Sequence, residues 1–537
     1  MRNKLGHDVA SQWRQSVSTL ALALGASALI FAAASPARAD DSASVAKLEK
    51  EMHRLEAQHA AEIKALKVQI HQIQAHRGGP VMAPGGVVTK GPYEPCTGPF
   101  VTMSPTHQFG LSSCDGLNSI YFTGEIQLDA AGQVGGNAHM ATPAGVDFRR
   151  ARIGVGGRFM GDWDYLIRYE MGGAATEATG ANPVASAGTL ENAFLQYNGF
   201  YNHHQAFPVS LTIGAIDVPW TLDEPTGNDK VMFIERSSAQ QLANTLGNAG
   251  DNRISVGATS NDNHYFLGAW VTGPTTDTVR TFGAAPGNYG PPLAILGRGA
   301  YEWQFSPDFS AHIGADYSYV WNPTTPSAAG YTPTLSPSGT AEIGILGTLP
   351  GTGTGAIPVK SSQVFGAEAA AQYGNAFFQA EYYHYIVDGT YGAGAAVTGG
   401  LPGPSANFDG GYAEASYTFG GRRTYAPKYA AYSGVIPDHP FVLGTNDFGA
   451  VELGARFGII GANDRALSVL TVAPTSAALH GWTQENFAAV LNWYPNTNIR
   501  FDLEYEHVID NQMSLLSGAY TSSNKLDWIG GRTQVTW

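Results

Sequence analysis

Ser119-Ile120-Tyr121-Phe122-Thr123-Gly124-Glu125-Ile126-Gln127-Leu128-Asp129 is the stretch that decides the fold. Ile120, Phe122, Gly124, Ile126 and Leu128 fall on one face; Tyr121, Thr123, Glu125, Gln127 and Asp129 fall on the other. A repeat of two belongs to an extended strand, whose successive side chains point to opposite faces. An apolar face opposite a polar one suits a transmembrane barrel, but also a soluble sandwich. One strand does not separate the two; the chain around it does.

Downstream the alternation recurs near 146–160, 162–172, 189–199, 208–216, 252–260, 264–273, 295–305, 309–320, 361–374, 376–386, 407–420, 445–460, 482–494, 498–510 and 525–537. With the opening strand at 119–131 this makes sixteen, an even number as bacterial barrels require. Connections alternate between tiny turns, such as Gly161, Gly374-Asn375 and Pro495-Asn496-Thr497, and long loops such as 216–252 and 320–361. Short turns at one end and long loops at the other are the periplasmic and extracellular ends of such a barrel. The exceptions are the turn after Gly199 and the long connection after Phe419, both assigned to the periplasm by parity. In the second strand Ile153, Val155 and Phe159 oppose Arg150, Arg152 and Arg158. In the thirteenth, Val451, Leu453 and Phe457 oppose Glu452 and Arg456; in the fifteenth, Ile499, Phe501, Leu503 and Tyr505 oppose Arg500, Asp502, Glu504 and Glu506. A dry core does not hold so many charges, since burying an unpaired ion is very costly, so the polar face reads as a wet lumen. Trp163, Tyr382, Tyr383, Tyr417, Trp493 and Tyr494 read as girdles at the membrane interfaces. The fold class expected is all-β: a 16-stranded antiparallel transmembrane barrel over 119–537, preceded by a short coiled coil.

Upstream of the barrel the character changes. Residues 1–39 read as a signal peptide: Arg2, Lys4 and Arg14 are basic, Leu20 to Ala34 is apolar, and Ala37-Arg38-Ala39 fits the cleavage rule. Residues 40–77 carry a seam of Val45, Leu48, Met52, Leu55, Ile63, Leu66, Ile70 and Ile73, with a stutter at His59. Steps of three and four signal a coiled coil, here placed in the periplasm. Residues 78–118 read as a Pro/Gly-rich linker. Its two cysteines, Cys96 and Cys114, suit a disulfide in an oxidising compartment, although two free thiols also fit the sequence. Charged residues are 14% of the chain and aromatics 11%, which fits a lipid-covered surface and excludes low-complexity disorder.

Several segments resemble the phosphate-selective porin O and P family: Phe148-Arg149-Arg150-Ala151-Arg152, Phe233-Ile234-Glu235-Arg236-Ser237, Gly449 to Arg456, Asn492-Trp493-Tyr494-Pro495, and the final Gly531 to Trp537. The resemblance covers roughly 119 to the end. It implies a sixteen-stranded barrel, a homotrimer, and a third long loop folded into the pore. That loop holds Asp217, Asp223, Glu224, Lys230, Glu235 and Arg236, then a short helix over Ser237 to Leu246, and by analogy narrows the channel.

The sign of selectivity is less legible. Arg150, Arg152, Arg158, Arg168, Arg456, Arg500 and Arg532 are candidates to line an anion path, because guanidinium groups bind phosphate bidentately. Glu452 is a candidate beside them, and Glu125, Asp129, Glu170, Asp316, Glu381, Glu414, Asp502 and Glu504 share the same predicted lumen. From Asp115 onward there are 36 acidic residues against 19 basic ones, so a transverse field of opposed charges fits as well as a phosphate ladder. Three functions follow from these residues. The first is an outer-membrane porin for passive diffusion of small hydrophilic solutes or inorganic ions, anions and phosphate included. The second is a structural barrel anchoring the coiled coil to the cell wall. The third, an enzyme, finds no His-Glu-x-x-His, Gly-x-Ser-x-Gly or paired-cysteine motif. Outer-membrane lipid is the expected partner; no cofactor, metal or nucleic acid is expected.

Overall fold

The computed structural model describes residues 98–103, 108–138, 144–172, 189–203, 208–250, 252–276, 292–321, 325–327, 330–332, 334–335, 357–390, 402–464, 480–514 and 520–537. The expected signal peptide, coiled coil and Cys96 lie outside these residues. Sixteen long strands follow one another: β1 Ser119–Gly136, β2 Ala144–Phe159, β3 Trp163–Glu170, β4 Thr189–Tyr197, β5 Val209–Ile216, β6 Arg253–Asn261, β7 Tyr265–Thr275 and β8 Leu293–Ser306. The second half is β9 Phe309–Trp321, β10 Ile357–Tyr373, β11 Ala376–Thr390, β12 Pro402–Phe419, β13 Ala450–Ala462, β14 His480–Tyr494, β15 Ile499–Ser514 and β16 Tyr520–Thr536. Each pairs antiparallel with the next, and β16 returns to β1 with Arg532 opposite Asp129, so the sheet closes. Closure removes the free edges that an open sheet would leave unpaired in lipid.

Most strands run beyond their sequence-based bounds at the long-loop end: β1 to Gly136, β10 from Ile357, β12 from Pro402, β15 to Ser514. Above the membrane both faces of a strand are polar, so the alternation fades while the hydrogen-bond ladder continues. Beneath β1, the last part of the expected linker holds two short strands, Phe100–Met103 and Phe109–Ser112. The second pairs with Ser119–Tyr121 and so extends the seam. Cys114, in the turn between, is disulfide-bonded.

The outer wall is apolar and bare. Phe148, Ile153, Ile167, Ile213, Leu453 and Leu503 are each at least half exposed. Such a surface requires hydrocarbon around it. At the short-turn end Trp163 packs on Tyr197, Tyr301 on Trp303, Tyr417 on Phe419 and Trp493 on Phe501, forming one aromatic belt. Tyr383 and Tyr494, expected in the girdles, are instead buried inside, because they occupy inward positions of their strands. At the seam Gly124 exchanges both backbone bonds with Trp537. A Cβ at Gly124 would meet the Trp537 ring at 2.0 Å, so glycine here leaves the space that the terminal indole fills. No helix among the described residues is long and apolar enough to cross a membrane.

Candidate functional site

The lumen is occupied by the loop that leaves β5, here L3, residues 217–252. Its sequence alternates charge with Val218, Trp220, Leu222, Met232, Phe233 and Ile234, all at most 2% exposed. Outside the barrel these side chains would lie in water; inside, they meet inward apolar residues. Val218 and Trp220 join Phe266, Trp270, Leu296, Tyr385 and Phe408, while Met232 and Phe233 join Phe377 and Val490. The helix α1, Ser238–Gly247, lies on the same wall. Ser237 caps it by accepting from the Gln240 backbone N–H, and Asn248 ends it in the left-handed region.

An irregular backbone at membrane depth needs partners for its polar groups, and the wall supplies them. Asp316 accepts from the Thr221 N–H at 3.1 Å, Glu381 from the Leu222 and Asp223 N–H groups, and Glu504 from the Ile234 N–H at 2.6 Å. Arg532 donates to the Ile234 carbonyl at 2.6 Å, Arg500 to the Val231 carbonyl at 2.7 Å, Arg456 to the Glu235 carbonyl at 2.9 Å, and Asn492 to the Met232 carbonyl at 2.7 Å. Within the loop Arg236 binds Asp223, and the Asn244 and Gln240 amides donate to Glu224.

The arginines expected to line the pore are therefore placed differently from one another. Arg150, Arg152, Arg456, Arg500 and Arg532 point inward, but each is at most 5% exposed, as is Glu452. Arg532 is bidentate to Asp129 and also reaches Glu235. Arg152 is shared by Glu125, Glu170 and Glu191, Arg500 is held by Asp502, and Arg456 lies 4.2 Å over the Phe233 ring. The inward charges are thus mostly a packed ionic lining beneath L3, and the wet lumen read from the sequence is confined to what L3 leaves open. Burial pushes the Glu235 carboxyl up, but Arg149, Arg150 and Arg532 outweigh it and hold that group well below the usual carboxylate range. Arg149 was not among the candidates. A bulge between Gln127 and Leu128 lets it reach Glu235 at 2.7 Å from a strand where its neighbour Arg150 already faces inward.

A second segment enters from the opposite end. The connection after β12, periplasmic by parity, folds into the barrel: Ala430, Ala431 and Tyr432 are at most 2% exposed. Arg298 donates to the Tyr429 and Ala430 carbonyls at 2.7 Å while holding Glu368. Arg423 binds Glu452 and the Lys230 carbonyl, and Thr226 of L3 donates to the Tyr432 carbonyl. The two insertions therefore lock to each other. Sequence reading missed Arg298, Arg423 and Glu368; the length of the 420–449 connection and its run Arg422-Arg423-Thr424-Tyr425 were the available signal. A recess of about 420 Å³ opens beside this turn, lined by His264, Glu302, Asp308, Arg422 and Tyr425. Asp316, Glu368 and Glu381 bring carboxylate oxygens within 4.8 Å of one another, but Arg298, His312 and L3 backbone N–H groups occupy most of those oxygens.

What remains in contact with water is a mixed set. Arg158, 43% exposed, is paired with Asp164 at 2.7 Å, and Arg168 lies 3.5 Å from Asp217. Lys230 on L3 and Lys428 on the inserted turn are exposed and form no ion pair among the described residues. Asp229 beside Lys230 raises that ammonium above its ordinary range, and the Tyr429 hydroxyl does the same for Lys428, so both stay charged at neutral pH.

The family model of the phosphate-selective porin O and P matches residues 120–537. The chain is 25% identical over 428 residues to an uncharacterised protein of Caulobacter vibrioides, spanning 77% of this chain and 73% of that one. It is 25% identical over 372 residues to Porin O of Pseudomonas aeruginosa, spanning 67% and 75%. Among solved structures it is similar to OmpT of Vibrio cholerae (12% identity, TM-score 0.44, 78% and 98% covered) and to the outer membrane channel DcaP of Acinetobacter baumannii (12% identity, TM-score 0.42, 78% and 97% covered). A family match that starts in β1 and ends at the last residue, over a wall closed by the first and last strands, makes this chain a member of the phosphate-selective porin O and P family, an outer-membrane channel for small solutes.

Proposed function

We propose that the chain is a passive, weakly selective pore for small hydrophilic solutes and inorganic ions, without a phosphate-specific ladder. The observation that carries this reading is the burial of Arg150, Arg152, Arg456, Arg500 and Arg532 in ion pairs and loop contacts. A guanidinium spent on Asp129 or Asp502 offers nothing to a passing anion. The groups left at the water surface are of both signs, as in a transverse field. In this reading residues 1–39 are a removed signal peptide, residues 40–77 a periplasmic coiled coil, Cys96 the partner of Cys114, and the assembly a homotrimer in outer-membrane lipid. The coiled-coil seam and the family support the trimer.

Single-channel recording in planar bilayers under a salt gradient tests the function. The expected reversal potential is small, and added phosphate leaves the current unblocked. Saturable block by phosphate at low concentration would overturn the proposal in favour of an anion filter.

A further inference from the structure

The outer wall carries the same three-residue arrangement twice. On β11, Tyr382 and His384 face outward; the register sets His384 directly opposite Asp409 of β12. The Tyr382 hydroxyl and His384 Nδ1 both reach Asp409 Oδ1, at 2.5 and 2.7 Å. On β15, Tyr505 and His507 face outward; His507 is directly opposite Asp527 of β16. The Tyr505 hydroxyl and His507 Nδ1 both reach Asp527 Oδ1, at 2.7 and 2.6 Å. The imidazoles are about a third exposed, and Nε2 of each has no hydrogen-bond partner among the described residues.

The two sets stand at one height. Tyr382 and Tyr505 are each the seventh residue of their strands from the short-turn end, and the histidines are the ninth. Nine residues of about 3.3 Å rise, tilted about 40°, put the imidazoles about 23 Å above that end, at the outer border of an apolar band about 25 Å tall. Below the second set lie exposed Phe501 and Leu503. Above and beside it stands exposed Lys525, directly opposite Ile509. The sets are four strands apart in sixteen, a quarter of the circumference, so one protein neighbour need not cover both. In the reading proposed above, the surroundings that both share are the lipid annulus.

We propose that each Tyr-His-Asp set is a headgroup site for a phosphorylated lipid of the outer leaflet. The carboxylate accepts the Nδ1–H and the tyrosine O–H and so fixes the ring; Nε2, facing out of the wall, is then the acceptor for the P–OH of a phosphate monoester, whose proton it shares. The apolar wall beneath each set receives the acyl chains, which a free anion lacks. The ligand chemistry is a phosphate monoester, and its source is the membrane.

The test is native mass spectrometry of the full-length protein in lipid-free detergent, mixed with bis-phosphorylated lipid A or with its dephosphorylated form. The wild type retains two phosphorylated lipids per chain beyond those retained of the dephosphorylated form. H384F and H507F each lose one, and the double variant loses both while keeping its heat-modifiable mobility. D409N and D527N, which keep a side-chain acceptor but drop the charge, weaken retention at their own sites only. Equal retention by wild type and double variant, or equal binding of the dephosphorylated lipid, overturns the proposal. Displacement of the lipids by millimolar inorganic phosphate overturns the lipid assignment and leaves a site for the free anion.

Discussion

Arg532 shows how much one buried side chain holds here. It closes a bidentate pair with Asp129 across the β16–β1 seam and donates to the Ile234 carbonyl of L3. Arg532→Ala leaves Asp129 buried without its partner, a loss expected at about 3–5 kcal/mol. Denaturant unfolding followed by tryptophan fluorescence checks it, and Arg532→Lys recovers only part, since an ammonium lacks the planar fork. Lys428 acts on a different quantity. It has no ion pair among the described residues to lose, so Lys428→Glu leaves stability within about 0.5 kcal/mol. It moves the reversal potential toward cations, read in a salt gradient across a bilayer. Glu235 gives the pH dependence. Its ordinary value is 4.5 and its folded value lies below that, so its stabilising effect is complete above about pH 4.5. The effect is lost as pH falls through the lower folded value. Channel noise from a loosened L3 therefore rises only in strong acid, and Glu235→Gln shows the noise at neutral pH with no acid step.

L3 and the inserted turn are elements that borrow their stability from the wall. Removing residues 425–434 deletes the Tyr432 and Ala430 contacts and leaves Arg298 and Arg423 with fewer acceptors. The expected outcome is a larger unitary conductance and a lower unfolding midpoint, both measurable on the same preparation. At this scale the sequence was readable wherever one physical rule acts over many residues. Alternation placed all sixteen strands, because lipid on one side and polar contacts on the other impose it residue by residue. The short helix expected over Ser237 to Leu246 forms over Ser238–Gly247. The inward turn was not, since parity assigns a loop to an end of the barrel and says nothing about whether it points out or in. Nor were the arginine roles legible: Arg158 and Arg500 read alike as inward guanidiniums, and only the path of L3 makes one wet and the other buried.

At the scale of the whole molecule, the hydrocarbon-facing wall predicts that the protein needs detergent to stay dispersed and gives a circular dichroism spectrum dominated by strand. The L3 moorings add a rule of timing. The loop is made before residue 253, but Arg456, Asn492, Arg500, Glu504 and Arg532, which grip it, are made in the last fifth of the chain. A ribosome therefore releases the plug long before it releases the hooks. A polypeptide stopped short of Arg532 lacks both the last stave of the cask and the clasp on its bung, so partial products have no half-working form to settle into.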